Sequence, residues 1–199
     1  MQTLTADALL DCYRNGVFPM AEDRRDRRVF LVEPAERGVI PLDEFRIPKR
    51  LARTIRSRKF EIRVDTAFAD VISACAAPGP GREQTWISFG LEELYLELFR
   101  RGYAHSVEAW REGRLAGGLY GVAIGAAFFG ESMFSRERDA SKVALVALVE
   151  RLRACGFVLL DTQFVTRHLI GLGAVAIDRR AYLARLAQAL SLRAEFRAA

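Results

Sequence analysis

The spacing of hydrophobic and polar positions divides the chain into short helices and strands. Residues 5–13 follow a helical pattern between Thr5, a suitable N-cap, and Gly16, which favours the helix end. Strand-like runs follow at 29–32 and 39–42. Pro48 is well placed to begin a helix, and an alternating strand and another helix come next, at 60–64 and 66–77.

Beyond the Pro-Gly-Pro-Gly loop at 78–81, which we interpret as a hinge, the pattern becomes more regular. A meander of three strands, then a helix and a further strand, predicts an α+β fold. That order resembles the acetyltransferase-like (GNAT) topology, an antiparallel or mixed sheet flanked by helices. We expect a small N-terminal subdomain over residues 1–64 and a GNAT-like catalytic domain over 65–199. The predicted elements are a helix at 91–101, strands at 105–110, 115–124 and 126–132, a helix from 139 or 141 to 156, strands at 157–160 and 175–177, and a helix at 180–190.

The composition predicts a cytoplasmic protein without a membrane partner. The chain has 199 residues, of which 51% are hydrophobic, enough for one sizeable core. No apolar run approaches the roughly 18 residues of a membrane span, and the start lacks the pattern of a secretory signal. The cysteines, Cys12, Cys75 and Cys155, are odd in number and widely spaced, which favours thiols in a reducing compartment and no metal site.

Positive charge is concentrated in one segment. The net charge is +5, yet residues 46–63 hold eight cations against the single anion Glu61. A solvated helix face normally mixes both signs, so we favour a surface that faces a polyanion, most simply nucleic acid phosphate. The cations expected to contact phosphates are Lys49, Arg50, Arg53 and Arg56.

Glu131 is the most informative single residue. It follows the apolar segment 119–129 and precedes an amphipathic helix. Burial of an unpaired carboxylate costs several kcal/mol, so Glu131 must be exposed, paired or bound to a ligand. Glu131 is therefore either a polar residue at the end of a strand or part of a binding site.

Three further groups of residues have both a structural and a functional interpretation. Asp161 and Gln163 lie two apart after a buried strand, so they either cap its end or share one face of a site. The amide of Gln163 cannot ionise and could only orient an amine or stabilise charge, whereas Asp161 could polarise it or accept a proton. Trp86 is either core or a platform on which a base stacks. An apolar wall, which is either core or pocket, is formed by Phe128, Met133, Leu145 and Leu148.

Some chemistries receive little support. His105 and His168 are the only histidines, and neither lies near a recognisable nucleophile turn, so a Ser-His-Asp hydrolase is disfavoured. There is no phosphate-binding P-loop, and the glycines at 117, 118, 121 and 125 fall within predicted strands.

Eight motifs in consecutive order resemble the signature of the leucyl/phenylalanyl-tRNA–protein transferases, over roughly residues 9–190. The two richest are Phe129-Gly130-Glu131-Ser132-Met133-Phe134-Ser135 and Asp161-Thr162-Gln163. The others lie at 13–19, 85–87, 102–110, 117–122, 140–142 and 172–174. The chain departs from the family pattern at Met20, where many members have Trp, and at 31–34.

The resemblance implies an enzyme that transfers Leu or Phe, and less well Met, from its tRNA to the N-terminal Arg or Lys of a protein, which marks that protein for Clp-dependent degradation. The family fold has a GNAT-like C-terminal domain. The aminoacyl ester is already activated, so we expect no cofactor, and we expect a monomer. The implied sites are catalytic Asp161 and Gln163, Trp86 and nearby Tyr95 for the terminal adenosine, Glu131 as the acidic residue, and a side-chain pocket of Phe128, Met133, Leu145 and Leu148.

For the reaction itself, our hypothesis is that Gln163, polarised by Asp161, holds the attacking amine while backbone donors stabilise the oxyanion. Two other functions stay open. An acetyltransferase would require a glycine-rich pyrophosphate cradle, which residues 135–141 lack. A non-enzymatic RNA-binding protein would need only the basic segment.

Overall fold

A computed structural model describes residues 4–79 and 83–196 and is organised around one seven-stranded sheet. Its strand order is β4-β5-β6-β7-β8-β3-β9, and β1 and β2 form a separate pair. The strands are β1 (Phe18–Met20), β2 (Phe30–Val32), β3 (Glu36–Ile40), β4 (Glu61–Val64), β5 (Ala104–Arg111), β6 (Arg114–Ile124), β7 (Ala127–Ser135), β8 (Leu159–Gln163) and β9 (Val175–Asp178). The helices are α1 (Ala6–Arg14), α2 (Lys49–Arg56), α3 (Phe68–Ala76), α4 (Phe89–Arg100), α5 (Ala140–Ala154), α6 (Arg167–Ile170) and α7 (Arg179–Ser191).

The pairing of β7 with β8 differs from every other pairing in the sheet. These two strands run parallel, while the remaining neighbours are antiparallel. Their register covers only three residue pairs, from Ala127 with Leu159 to Phe129 with Asp161. Beyond Phe129 the described parts of the two strands form no further pairs, which leaves a gap in the sheet between them.

Hydrophobic cores cover both faces of the sheet. One core contains apolar residues of α1, α3, α4 and α7, and the other contains those of α2 and α5. Helices pack well on a sheet when each presents an apolar stripe, as the spacing of these residues predicted. No helix within residues 4–79 and 83–196 is long and apolar enough to cross a membrane.

Two β-bulges lie beside the gap. In the β6–β7 register, Tyr120 faces Ser132 and Gly121 faces Gly130, so Glu131 is the extra residue. In the β3–β8 register, Gly38 faces Gln163 and Val39 faces Asp161, so Thr162 is the extra residue. A bulge redirects the side chains around it and is common next to active sites.

Gly121 shows how tightly the first bulge is packed. A Cβ atom at this position would lie 2.3 Å from the carbonyl oxygen of Phe129 and 2.4 Å from the ring of Phe128. Only glycine fits where the backbone approaches so closely.

The prediction of an α+β fold with a helix-flanked sheet is confirmed, and so is the three-strand meander, which corresponds to β5, β6 and β7. The predicted end of the third strand at residue 132 is wrong. β7 continues to Ser135, so Glu131, which the prediction placed next to the strand end, lies well inside the strand. The division at residue 64 stays a prediction, and β3 and β4, which precede it, are strands of the large sheet. Of the hinge loop at 78–81, positions 80 and 81 lie outside the described residues.

Candidate active site

A cavity of about 330 Å³ opens where β7 and β8 separate. We call it the site cavity. Its walls come from β1, β6, β7, β8, α5, α6 and the segment before α4. Apolar residues predominate, namely Phe18, Met20, Trp86, Leu119, Met133, Leu145, Leu148, Leu160, Phe164 and Leu169. The others are Tyr120, Gly130, Glu131, Ser132, Thr162, Gln163, Thr166 and His168.

Six residues that were candidates from the sequence line this one cavity, although they are distant in the chain. Glu131 and Met133 come from β7, Gln163 ends β8, and Trp86 precedes α4. Leu145 and Leu148, one turn apart on α5, form part of its apolar wall.

Phe128 was expected in the side-chain pocket but does not line the site cavity. Its side chain is fully buried, and its ring stacks on Phe196 at 5.3 Å and meets Phe157 edge-on at 6.4 Å. Phe128 and Met133 lie on the same face of the sheet, because their partners in β6, Ala123 and Leu119, are four residues apart. Phe128 belongs to the part of β7 that pairs with β8, whereas Met133 lies beyond that pairing, beside the gap. Phe128 is therefore a core residue beneath Gly121.

Asp161 is buried behind the site cavity rather than within it. One of its carboxylate oxygens accepts from Nε of Arg37 at 2.9 Å and from the backbone N–H of Gln163 at 2.8 Å. The other accepts from Nη2 of Arg37 at 2.7 Å and from the hydroxyl of Tyr182 at 2.6 Å. Every position around this carboxylate is occupied by a protein donor.

The expectation that Asp161 and Gln163 share one face is wrong because of the second bulge. Thr162 is inserted between them, and Gln163 has the left-handed conformation, with φ of 55°. The hypothesis that Asp161 polarises the Gln163 side chain is also corrected. Asp161 contacts the backbone N–H of Gln163, whereas the side-chain amide points to Glu131.

Arg37 makes the burial of Asp161 possible. The residue is 1% exposed, and its guanidinium donates to the carbonyl oxygen of Gly16 at 3.1 Å and lies over the rings of Phe18 and Tyr182. A buried pair of this kind is tolerated only when the ion pair and its remaining hydrogen bonds are complete.

Glu131 is held by neutral donors. Nε2 of Gln163 donates to one of its carboxylate oxygens at 3.0 Å, and the hydroxyl of Tyr95 donates to the other at 2.9 Å. The hydroxyl of Tyr13 lies 2.7 Å from that of Tyr95, which extends the chain of hydrogen bonds into α1. Within residues 4–79 and 83–196, no cationic side chain forms an ion pair with Glu131. Burial raises the pKa of Glu131 to about 7, although the hydrogen bonds from Tyr13 and Tyr95 act to lower it.

Tyr95 was expected near the adenosine but does not line the site cavity. It is fully buried between Tyr13 and Glu131, and desolvation keeps the pKa of its hydroxyl well above the ordinary value. Its contact is with the carboxylate, so it supports Glu131 from behind.

Two buried hydroxyl groups, those of Tyr120 and Thr162, have no hydrogen-bond partner among the described residues. Both residues line the site cavity. Buried hydroxyls are nearly always hydrogen-bonded, so unpartnered ones beside a cavity indicate positions for ligand atoms.

A second cavity of about 610 Å³ adjoins the first and is strongly cationic. His168 lines both cavities. We call this second cavity the basic groove. Its acids are Glu137, which is paired with Arg111 and Lys59, and Asp139, which lies 3.5 Å from Lys142. The cations that line it are Arg50, Arg136, Arg138, Lys142 and Arg167.

Of the four cations predicted to contact phosphates, Arg50 lines the basic groove. Lys49, Arg53 and Arg56 lie on the same short helix, α2, and are exposed. None of the four forms an ion pair with the part of the chain that the structure describes.

Comparison with known proteins agrees with the motifs. The family model described as "Leucyl/phenylalanyl-tRNA protein transferase" matches residues 39–187, and the model of that family's N-terminal domain matches residues 2–35. The chain belongs to this family. It is therefore a transferase.

Curated relatives share this description over nearly the whole chain. The leucyl/phenylalanyl-tRNA–protein transferase of Phenylobacterium zucineum is 62% identical over 98% of this chain and 89% of its own length. That of Nitrobacter winogradskyi is 61% identical over 97% of this chain and 86% of its own length. Among solved structures, L-PGS from Bacillus licheniformis aligns with 77% of this chain and 56% of its own, at 14% identity and a TM-score of 0.45, a likeness too weak to support an argument.

The transferase site contains residues that the sequence analysis did not single out. Arg37 and Tyr182 lie 145 positions apart, contact each other and both donate to Asp161. Their only sequence signals are a cation beside Glu36 in a short strand and a tyrosine in a helix, both of which are common. Met20, a departure from the family motif, lines the site cavity. Thr162 was part of the quoted motif, but its role depends on a β-bulge, and the residue types of this segment do not predict that bulge.

Proposed function

We propose that this transferase takes Leu or Phe, and less well Met, from an aminoacyl-tRNA and joins it to the N-terminal Arg or Lys of an acceptor protein, which marks that protein for degradation by the N-end rule pathway. Family membership supports the reaction. The observation that carries it to this chain is a single apolar cavity that holds Glu131 and Gln163 and adjoins a basic groove.

The chemistry requires little more than positioning. The ester bond to the tRNA is already activated, so the protein must bring the acceptor amine to the ester carbonyl and keep both in place. Well-oriented reactants gain several kcal/mol of barrier reduction in this way. Gln163, fixed by its hydrogen bond to Glu131, offers its amide oxygen to the amine. Asp161 has a positioning role, since it holds the backbone of Gln163.

The apolar wall of the site cavity would hold the side chain of the transferred amino acid. Met133, Leu145 and Leu148 line it together with Leu119 and Leu160, none of which is branched at Cβ. We expect this pocket to accept Leu and Phe and to disfavour Ile and Val, whose branch at Cβ makes them wider next to the backbone. Discrimination on the scale of one methyl group amounts to only about 1–3 kcal/mol.

Aminoacyl-tRNA would approach along the basic groove and α2. Arg50 lies in the groove, and Lys49, Arg53 and Arg56 extend the positive surface. Contacts of this kind neutralise phosphates without reading sequence. Trp86, at the wall of the site cavity, would stack on the terminal adenosine, with Met20 and Phe18 in the same cavity.

We also propose a sheet topology, a cellular location and an oligomeric state for this protein. The single parallel pair, β7 with β8, and the gap after it support a GNAT-like sheet. The three cysteines form no disulfide within the described residues, which fits a cytoplasmic location. We propose a monomer that needs no cofactor, since the donor ester is activated before it binds.

One assay tests the proposal against its two alternatives. The protein is incubated with labelled Leu-tRNA, differently labelled acetyl-CoA and a peptide that begins with Arg. The proposal predicts leucine label in the peptide. Acetyl label in the peptide would indicate an acetyltransferase, and binding of tRNA without either transfer would indicate an RNA-binding protein; both results would overturn the proposal.

A further inference from the structure

The attacking amine must lose a proton as the peptide bond forms, and the residues of the site differ in their ability to accept it. All four positions around the Asp161 carboxylate are filled by Arg37, Tyr182 and the backbone N–H of Gln163. Asp161 also lies outside the site cavity. The amide of Gln163 is not a base. Neither residue can take the proton directly.

Glu131 has the opposite surroundings. It lines the site cavity, and the donors that the described structure places around its carboxylate, Gln163, Tyr95 and Tyr13, are all neutral. The oxygen that accepts from Gln163 keeps a second lone pair for a ligand. The bulge of β7 directs this residue into the cavity beside the same Gln163 that would orient the amine.

We propose that Glu131 is the general base of the transfer reaction, a role that rests on the proposed function. The neutral amine attacks the ester carbonyl carbon, and Glu131 accepts a proton from the nitrogen as the C–N bond forms. The bond from that carbon to the ribose oxygen then breaks, and the same proton passes to the departing ribose oxygen. The products are the amide and free tRNA, and Glu131 returns to its starting state.

The surroundings of Glu131 give its carboxyl a pKa suited to accepting a proton from an amine. Tyr13 from α1, Tyr95 from α4, Tyr120 from β6, Arg37 from β3 and Asp161 from β8 all influence a charge in this part of the core. Burial raises the Glu131 pKa to about 7, and the charge of Asp161 adds to the rise, while Tyr13, Tyr95 and Arg37 act to lower it. An α-amino group has a pKa of about 7.7–8.0, so proton transfer between the two groups is nearly balanced.

Tyr120 also lines the site cavity, but desolvation raises the pKa of its hydroxyl well above the ordinary value. His168 is the remaining titratable group among the residues that line this cavity. It is exposed on α6 and shared with the basic groove, and the pKa of its imidazole is lowered, first by desolvation and then by the charge of Lys142. No hydrogen bond joins it to Gln163 in the described structure. It serves as the comparison residue for the experiment.

The experiment measures single-turnover transfer from Leu-tRNA to a saturating Arg peptide between pH 5.5 and 9, for wild type, Glu131→Gln and His168→Asn. Below pH 7 both the amine and Glu131 are protonated, so the logarithm of the wild-type rate should fall with a slope approaching two. Glu131→Gln should be slower by about 10²–10³-fold and retain a slope of one, from the amine alone. His168→Asn should keep the wild-type slope whatever its absolute rate, because His168 lines the binding surfaces and has no hydrogen bond to Gln163 in the described structure.

Tyr95→Phe provides a second test, which distinguishes a Glu131 that acts as a base from a Glu131 that only supports the structure. It removes a donor that stabilises the charged carboxylate, so the inflection near pH 7 should move to higher pH. A wild-type slope of one throughout, a Glu131→Gln variant altered only in the KM for the peptide, or a profile that changes in His168→Asn instead would overturn the base role. Absence of any leucine transfer by wild type would contradict the proposed function itself, a distinct result.

Discussion

At the scale of single residues, the site is defined by polar groups left without the partners they would have in an ordinary core. Glu131 carries a carboxylate into an apolar cavity without an ion pair, and the hydroxyls of Tyr120 and Thr162 have no partner in the described structure. Each of these groups costs folding free energy, because its desolvation is compensated only in part for Glu131 and by no hydrogen bond within the described residues for the two hydroxyls. The cost is reasonable only if the groups act on a ligand.

Glu131→Gln should increase the free energy of unfolding relative to wild type, and this gain should be larger in alkaline than in acidic solution. The folded state raises the Glu131 pKa from 4.5 to about 7, so it holds the proton more tightly than the unfolded chain. Wild type therefore loses stability as the pH rises from about 4.5 to about 7. Glu131→Gln lacks this loss and should gain roughly 1–3 kcal/mol at pH 8, with little gain at pH 4.

Urea unfolding at the two pH values measures this difference, with Glu150→Gln, an exposed site on α5, as the control. A gain for Glu131→Gln that is equal at both pH values would show that the carboxylate is not perturbed as described.

Thr162→Val should reduce turnover without reducing stability. The substitution keeps the shape of the side chain and removes a hydroxyl that has no partner in the described structure, so unfolding free energy should stay equal or rise by up to about 1 kcal/mol. If that hydroxyl donates to the ester oxygen as negative charge develops there, kcat should fall about 10- to 100-fold.

Thr162→Ser retains the hydroxyl and is the matched control for this change. Turnover of Thr162→Val within twofold of Thr162→Ser would remove the hydroxyl from the reaction.

At the scale of elements, the bulges of β7 and β8 account for most of what the sequence could and could not predict. The order of helices and strands follows from apolar spacing, because each element buries one face. The positions of Glu131 and Gln163 in one cavity were also anticipated. The surroundings of Asp161 were not, because a bulge reverses the alternation that places residues two apart on one face.

The basic surface of α2 shows a similar division. Its charge was evident in the sequence, since unmixed cations are unusual on a solvated helix. The basic groove was not evident, because Arg50 joins Arg136, Arg138, Lys142 and Arg167 from distant parts of the chain. Such long-range grouping depends on the sheet topology rather than on local pattern.

Charge reversal on α2 should weaken tRNA binding and its dependence on salt. Arg50→Glu, Arg53→Glu and Arg56→Glu together would remove three of the proposed phosphate contacts, each of which should contribute roughly one unit to the slope of log affinity against log salt. The apparent KM for Leu-tRNA should rise while turnover at saturation changes little. Filter binding over a series of salt concentrations measures the slope.

A triple variant of equal charge change at exposed arginines elsewhere, Arg180, Arg185 and Arg193, is the control. If both triple variants lose the same amount of salt dependence, α2 has no special role and only net charge matters.

At the scale of the whole molecule, Arg37 joins the N-terminal part of the chain to the site. Its guanidinium contacts Gly16 after α1, Asp161 in β8 and the ring of Tyr182 in α7. Elements from both ends of the chain thus converge on one ion pair, so the position of Gln163 depends on the whole fold.

Arg37→Met should destabilise the protein by about 3–5 kcal/mol, because it leaves the Asp161 charge buried without its partner. The double variant Arg37→Met/Asp161→Leu removes both charges and should recover most of that stability. It should not recover activity, since the backbone of Gln163 loses its acceptor. Urea unfolding measures the effect on stability, and the transfer assay measures the effect on activity. A double variant as unstable as Arg37→Met would show that the unpaired charge of Asp161 is not the cause of the instability.

The central claim is that the site cavity receives the amino acid carried by the tRNA. Transfer from Leu-tRNA and Phe-tRNA to an Arg peptide tests it in Met133→Trp, which fills the apolar wall, beside Met133→Leu, which conserves it. We predict that Met133→Trp loses transfer of both amino acids at least tenfold while it binds tRNA like wild type, and that Met133→Leu stays active. Equal transfer by Met133→Trp and Met133→Leu would contradict the claim.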